Sequence, residues 1–489
     1  MNKKPLKHAS HTAHQTVTRK FIEVKSGGES IRVGFTDQKV SGRAGLSPFT
    51  AFLGWHRFGD LLKRVLPERE QKVREAKGGR PPQPAHEIAL GFMVGILSGA
   101  QRLAHVAWLR ADPMISRMLA VGQIASQSTL SRFFALFEHA GMNQEALAPL
   151  WNWAMRRLPS LPGGYSLDLD STRLLHEDGH QEGVAVGYTR MGNKPCLHPL
   201  LAVLEEAKLV VNFWLRPGNT SCANNVIGFT QELLANLPSH IRLRVVRADS
   251  GFCSAPWLSL LEARNLKYIV VAKLLKPLQR LCRKDTIWSP SVVPGTDVAE
   301  IWHQEANWEN PRRLILIRHR VSEKKRPGGK VLLEVEGYTF QAMVTNLPES
   351  VPPIEVWRNY NPRAGCEGVI KQLDMDFALD KLCLKKFYAT EAAMGLAIMA
   401  YNLCVLFQRH LGWKDRVTAA TLRFLLFTTA GIISNSGGRT TIRLAVPPEQ
   451  RDWWHSLYDK ILGLFSNCNA IPQSPPVSHA HASSFMGFA

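Results

Sequence analysis

YSLDLDST, residues 165–172, is the stretch on which the reading of this chain turns. Leu167 and Leu169 alternate with Ser166, Asp168 and Asp170, the two-residue period of a strand. Side chains two apart on a strand share a face, so Asp168 and Asp170 are neighbours. Two carboxylates on an otherwise apolar strand are costly to bury unpaired. A metal ion would resolve that cost; so would a solvent-facing edge. Upstream, Pro162-Gly163-Gly164 closes a helical region. Downstream, strand-like runs at 200–204, 209–215 and 242–247 are followed by a strand at 267–272. Helical runs at 225–237 and 254–264 are interleaved with them. Three sequential strands, then helix, strand, helix and strand, predict a mixed α/β sheet.

RADSGF, residues 247–252, ends the fourth of these strands. Asp-Ser-Gly is ordinary turn chemistry. If the fourth strand lies beside the first, Asp249 and Asp170 meet at one end of the sheet. A third acid stands in NYNPRAGCEGVIKQL, residues 359–373. Asn361 suits a helix N-cap and Pro362 the first helical position. Arg363, Glu367 and Lys371 then share one face at four-residue spacing, which fits either a functional face or a solvated salt-bridge ladder. Three carboxylates suit divalent-metal phosphoryl chemistry. Mg²⁺ prefers oxygen ligands, and two ions about 3.5–4 Å apart activate a nucleophile and stabilise a leaving oxygen. The sequence contains no Walker A loop, no H-E-x-x-H and no G-x-S-x-G elbow.

Lys and Arg number 60 against 40 acids, a formal charge of +20, which favours a polyanionic partner, nucleic acid before membrane. The eight cysteines form no C-x-x-C pair, against a zinc module or a disulfide framework. The basic N-terminus lacks the apolar core of a signal peptide. Residues 389–407 are apolar but contain Glu391 and Asn402, so they read as a buried helix and not a membrane span. The expected organisation is a basic flexible arm (1–45), with room for short strands at 20–35, and a helical DNA-binding region (46–160). The catalytic sheet occupies 161–275, a β insertion 276–352 and the rest of the core 353–412. A C-terminal helical region (413–470) and a disordered tail (471–489) follow. Within the second region, Ser128 is a candidate cap for a helix carrying Leu130, Phe133, Phe134 and Phe137 inward. A helix-turn-helix with Arg132 towards DNA and an ordinary helical hairpin both fit that pattern.

At this point the ordered motifs resemble a family. DLDST (168–172), GHQEGVAVGY (179–188), LRPGNTS (215–221), RADSGF, YNPRAGCEGVIKQL (360–373) and AYNL (400–403) look like DDE transposases of bacterial insertion sequences. The likeness is greatest to the group typified by insertion sequence 1380, over about 125–445. The resemblance implies a ribonuclease H-like catalytic core with a β-strand insertion. A helical DNA-binding region would precede that core and a helical C-terminal segment follow it. It implies Asp170, Asp249 and Glu367 as the catalytic acids and ligands of two Mg²⁺ (or Mn²⁺) ions, with Asp168 a secondary candidate. Tyr360, Arg363 and Glu367 meet the class signature; Tyr360 and Arg363, with Lys371, Arg132 and Arg247, are the expected DNA contacts. Where the signature has Lys this chain has Asp374. Trp288, Trp302 and Trp308 of the insertion are candidates for stacking a flipped base while a hairpin end forms; packing within the insertion is the plainer role. The implied partners are transposon terminal inverted repeats and target DNA, bound by a homodimer in the synaptic complex. A cytoplasmic, nucleoid-associated bacterial setting without a membrane follows. A transposase-derived DNA-binding protein without catalysis is the competing reading. A ribonuclease H-type nuclease acting on RNA hybrids shares the acids but does not account for YNPRAGCE or the β insertion.

Overall fold

The computed structural model describes residues 21–26, 29–68, 82–177, 180–189, 191–282, 286–320, 334–335 and 337–463. The expected disordered tail and residues 1–20 of the expected arm lie outside them. The N-terminal strands are β1 (Phe21–Ser26), β2 (Glu29–Gly34) and β3 (Lys39–Ser41). The central strands are β4 (Tyr165–Ser171), β5 (Leu174–Leu175), β6 (Ala185–Thr189), β7 (Gly192–Leu197), β8 (Leu200–Leu204), β9 (Leu209–Trp214), β10 (Leu243–Ala248) and β11 (Tyr268–Val271). Then come β12 (Ser289–Pro290), β13 (Thr296–His303), β14 (Arg312–Arg320), β15 (Glu334–Val335), β16 (Tyr338–Thr345), β17 (Gly431–Ser436) and β18 (Arg439–Leu444).

One sheet organises the molecule, in the order β12-β13-β14-β16-β11-β10-β4-β8-β9, with β15 paired to β16. β4 lies third from the β9 edge, antiparallel to β8 and parallel to β10. The helices Val226–Asn236 and Ala255–Ala263 make the crossovers that the parallel pairs β4–β10 and β10–β11 require. The strands expected from alternation are all present, within a residue or two. The β insertion is not a separate body. β16 pairs antiparallel with β11, and β14 and β13 continue outward, so the insertion lengthens the same sheet.

Two expectations about the ends need correction. The short strands expected at about 20–35 are present as the β1–β2 hairpin, but the end of the expected arm is not loose: β3 pairs with β17 through Val40 and Ile432. The C-terminal region expected to be helical holds the β17–β18 hairpin, between Ala419–Leu422 and the helix Arg451–Ile461. Sparse apolar alternation hid these strands, because much of their surface stays exposed.

The helix Phe387–His410 is long and apolar enough to cross a membrane, yet its most apolar stretch is buried inside the protein. Its polar residues have structural work at the sheet edge. Asn402 donates to the carbonyl of Val210 (2.7 Å) and accepts from its N–H (3.0 Å). Tyr401 donates to Lys208 O, and Glu391 accepts from Leu215 N at 2.8 Å. Edge strand β9 thus has backbone groups satisfied by side chains, which explains an Asn inside an apolar helix. Helices Ala85–Leu97 and Ala140–Met155 pack on this helix, and one hydrophobic cluster runs from Leu46 to Ile461. The N-terminal helices therefore share their core with the sheet.

Candidate active site

The site lies where β4 and β10 end. Their parallel register sets Arg247 beside Asp168 and Ala248 beside Leu169, which brings Asp249 to the level of Asp170. Asp249 heads a tight turn: its Oδ1 accepts from Gly251 N at 2.8 Å. A side chain at Gly251 would run into Cys222 Sγ and Asp249 Oδ1, so the Asp-Ser-Gly turn needs glycine there. Turn chemistry and an acid at the sheet end are both true of RADSGF.

Asp168 and Asp170 share a face but not a role. Asp168 is fully buried and takes a bidentate pair from Arg247, Nε to Oδ1 at 2.6 Å and Nη2 to Oδ2 at 2.9 Å. Arg247 Nη1 also donates to Asn359 O at 2.7 Å. The expected DNA contact through Arg247 is therefore corrected: its guanidinium is 1% exposed and committed to Asp168. The same pair removes Asp168 as an available ligand. Burial pushes Asp168 up to about 6, opposed by Arg247. Asp170 is also raised to about 6, by burial first, with Asp249 and Glu367 adding to the rise and Arg363 opposing it.

Glu367 comes from the helix Ala364–Phe377. The expected N-cap at Asn361 is not seen: the chain runs from the helix Pro353–Tyr360 through a 3₁₀ turn, Asn361–Arg363, with Asn361 already helical. Pro362 is accommodated in that turn. Arg363, at its end, is 6% exposed. Its Nη2 stands 3.0 Å from Asp170 Oδ1, and its Nη1 3.8 Å from Glu367 Oε1. Nη2 also reaches Leu169 O at 3.4 Å, and Nε has no hydrogen-bond partner. Asp249 is near enough to act on the charges of both Asp170 and Arg363. Asp170 and Glu367 thus flank one guanidinium. Tyr360 is half-buried above them, its hydroxyl pushed up to about 12, mainly by burial.

Lys371 is exposed on the same helix and makes no ion pair among the described residues. Arg132 is exposed on the helix Gln127–Phe134, whose N-cap is Ser126, accepting from Thr129 N at 3.2 Å, and not Ser128. The inward residues Leu130, Phe133, Phe134 and Phe137 are buried as expected. Among the tryptophans, Trp308 is buried and Trp288 stacks under Arg318 at 4.7 Å, whereas Trp302 is exposed and hydrogen-bonded to Glu349.

Asp374, at the position where the signature has lysine, turns away from that role. It is half-buried, with Oδ1 lacking a partner, and burial followed by Asp380 raises it to about 7. It is partly protonated at neutral pH, which weakens any repulsion between it and a DNA backbone. Because the folded value lies above the unfolded one, the native state holds this proton more tightly. Stability is greatest below the unfolded value, falls as pH rises towards about 7, and levels off above. Asp374→Asn is expected to raise stability at pH 8 by about 1 kcal/mol, allowing for partial exposure. The gain is smaller at pH 5. Thermal melts of both proteins at the two pH values check it, and equal gains at both would refute the assignment.

Sequence reading missed a second layer under β4. His198 Nδ1 faces Thr220 O at 3.0 Å, and Nε2 faces Ser171 Oγ at 2.9 Å. A carbonyl only accepts, so Nδ1 carries the proton and Nε2 accepts from the Ser171 hydroxyl. Burial, with Arg216 and Arg173 nearby, lowers His198 to about 3, so it stays neutral. Arg216 is buried and donates to the carbonyls of His198, Ser221, Cys222 and Asn224. That explains LRPGNTS: the arginine holds the loop that supports the end of β4. Gly187 and Gly218 meet backbone to backbone there, and any side chain would clash with carbonyl oxygens.

The donor chemistry fits a hard divalent cation: three carboxylates, two of them at adjacent strand ends. Their spacing does not. Among the described residues no group of three His, Cys, Asp or Glu side chains is placed to hold a metal ion.

Comparison with known proteins adds the following. The model of the family described as "Transposase DDE domain group 1" matches residues 24–464. No curated protein matches the chain. Among solved structures, the chain is similar to one titled as the piggyBac transposase synaptic complex with hairpin DNA, at 12% identity and a TM-score of 0.42. The match covers 80% of this chain and 82% of that one.

Proposed function

Because the chain belongs to the transposase DDE domain group 1 family, we propose that it is an active transposase. It binds the terminal inverted repeats of its own insertion sequence, and it cuts and rejoins DNA there by cut-and-paste transfer through hairpin ends. The family's DDE domains are nucleases and strand transferases that act on DNA with divalent metal ions; two Mg²⁺ or Mn²⁺ ions suit the oxygen donors. The observation that carries this reading is that register brings Asp249 level with Asp170 while Arg363, from a distant stretch, pairs with Asp170 and lies beside Glu367. A ribonuclease H-like core is supported by the order β9-β8-β4-β10-β11, three antiparallel strands continued by two parallel ones. The motif order supports placement near the insertion sequence 1380 group, a bacterial, nucleoid-associated setting and a homodimeric synaptic complex. Trp302 is the exposed ring of the insertion's three candidates for holding a flipped base.

The test uses full-length protein and a labelled duplex spanning the junction between flanking DNA and the element's end. Cleavage at the junction with Mg²⁺, none with EDTA and none on a scrambled end is the expected result. No cleavage of the true end, with tight and specific binding retained, would leave a DNA-binding protein without catalysis.

Lys371 and Arg132 carry the exposed positive charge of the proposed DNA surface. Lys371→Ala is expected to weaken end binding and to reduce the slope of log affinity against log salt by about 0.9, one phosphate contact. An unchanged slope would show that Lys371 does not touch the DNA.

A further inference from the structure

The β17–β18 hairpin has two unlike faces. Its strands read GIISNS and RTTIRL, joined at Gly437 and Gly438. Both glycines have positive φ, 57° and 72°, as a tight two-residue hairpin turn requires. Alternation sorts the remaining side chains. On one face Ile433 is buried opposite Ile442, and Asn435 and Thr440 each accept a 3.2 Å hydrogen bond from Arg117. That face is held by the rest of the protein. The other face carries Ile432, Ser434 and Ser436 of β17 opposite Arg443, Thr441 and Arg439 of β18. Both arginines and Thr441 are exposed, and Arg443 leans on Ser434 Oγ at 3.5 Å. β3 flanks β17 only from Gly431 to Ile433, so towards the turn the hairpin is a ribbon of two strands. No residue of β3, β17 or β18 is acidic.

We propose that this ribbon lies in the major groove of duplex DNA and that Arg439 reads a guanine there. The inference rests on the transposase reading above and adds to it a surface that reads sequence. Charge sets the class of partner. A face of two guanidiniums and three hydroxyls without a carboxylate, on a chain of net charge +20, complements a polyanion. Shape sets the groove. The major groove is about 12 Å wide and admits a two-stranded ribbon, whereas the minor groove is about 6 Å wide. With glycine at both turn positions, no side chain at the tip obstructs entry. Arg439 directly follows the turn and reaches deepest, and a guanidinium donates two hydrogen bonds to guanine O6 and N7. Arg443 stands roughly 13 Å nearer the base of the ribbon, at about 3.4 Å per residue, level with the rim of the groove and its phosphates. Ser434, Ser436 and Thr441 lie between them as short donors and acceptors. Because Ile433 and Arg117 already hold the opposite face, little of the ribbon has to be ordered on binding.

The test uses the full-length protein, a labelled duplex carrying the element's end and a scrambled duplex of the same length. Arg439→Ala is expected to weaken binding of the true end by about tenfold or more and binding of the scrambled duplex much less, so that preference falls. Arg443→Ala should weaken both alike and reduce the slope of log affinity against log salt by about 0.9. Methylation of guanine N7, which lines the major groove, should impair wild-type binding at one guanine of the end and leave Arg439→Ala indifferent to it. Thr441→Glu places an acid on the face and should abolish end binding. The changed side chains are exposed, so all three variants should melt as the wild type does. Arg439→Ala and Thr441→Glu proteins that bind the end as tightly as wild type would overturn the proposal. So would interference from minor-groove modification alone, or the loss of a dimer in sedimentation with DNA affinity unchanged, which would make the face a contact between copies. A wild type that neither prefers nor cuts the true end sinks the transposase reading and this assignment with it. A wild type that does both, beside variants that bind normally, removes the hairpin's role alone.

Discussion

Asp249→Ala is expected to reduce cleavage of the transposon end by at least roughly three orders of magnitude, about 4 kcal/mol of transition-state stabilisation. Binding of the same DNA should change little, because the proposed DNA contacts, Lys371 and Arg132, are other residues. The reasoning is local. Asp249 ends β10 beside Asp170, and its Oδ1 is anchored by Gly251 N, so its orientation is set before any substrate binds. Removing it takes one of three carboxylates from a cluster that already holds a single cation. Groups that act as a unit fail together, so Asp170→Asn should lose a similar amount and the double variant little more. Gel assays of single-turnover cleavage measure both. An Asp249→Ala protein that cuts within tenfold of wild type would remove this residue from the chemistry.

The second large effect is on stability. Asp168 and Arg247 form a bidentate pair with neither side chain above 1% exposure. Such a pair gains little over an apolar pair of the same volume, but breaking it strands a buried charge, at about 3–5 kcal/mol. Arg247→Ala is therefore expected to lower stability by that amount, read from urea unfolding, and to reduce the yield of soluble protein. Asp168→Asn should also destabilise, because it strands the buried Arg247 cation and replaces one accepting oxygen by an N–H₂ donor. Its folded fraction should retain cleavage, whereas Asp170→Asn should retain the fold and lose cleavage. The opposite pattern, Asp168→Asn inactive and Asp170→Asn active, would exchange the roles of the two acids.

That contrast marks how far strand periodicity reads. Alternation places Asp168 and Asp170 on one face, and it cannot say which of them is paired. With β10 taken as the neighbour of β4, register alone would have set Arg247 against Asp168. The excess of basic residues makes every arginine look like a phosphate contact, which hides the pairing that neutralises the inner acid. His198 and Arg216 left no comparable signal. Their partners are carbonyls of a loop, which any sequence supplies.

By itself the sequence determined the order of strands and crossovers, the turn at Asp249, the buried faces of the helices and the family of the chain. Each depends on short-range periodicity or on residues close in the chain, where local sterics and the need to bury apolar surface leave few alternatives. Only the tertiary structure decided that the β insertion extends the central sheet and that β3 joins β17. It also decided that Asn402 serves an edge strand and that Arg363 fills the space between the acids. Those outcomes depend on which groups meet across long stretches of chain. A buried charge or an unpaired backbone group must find a partner, and which partner it finds is set by the packing of the whole molecule.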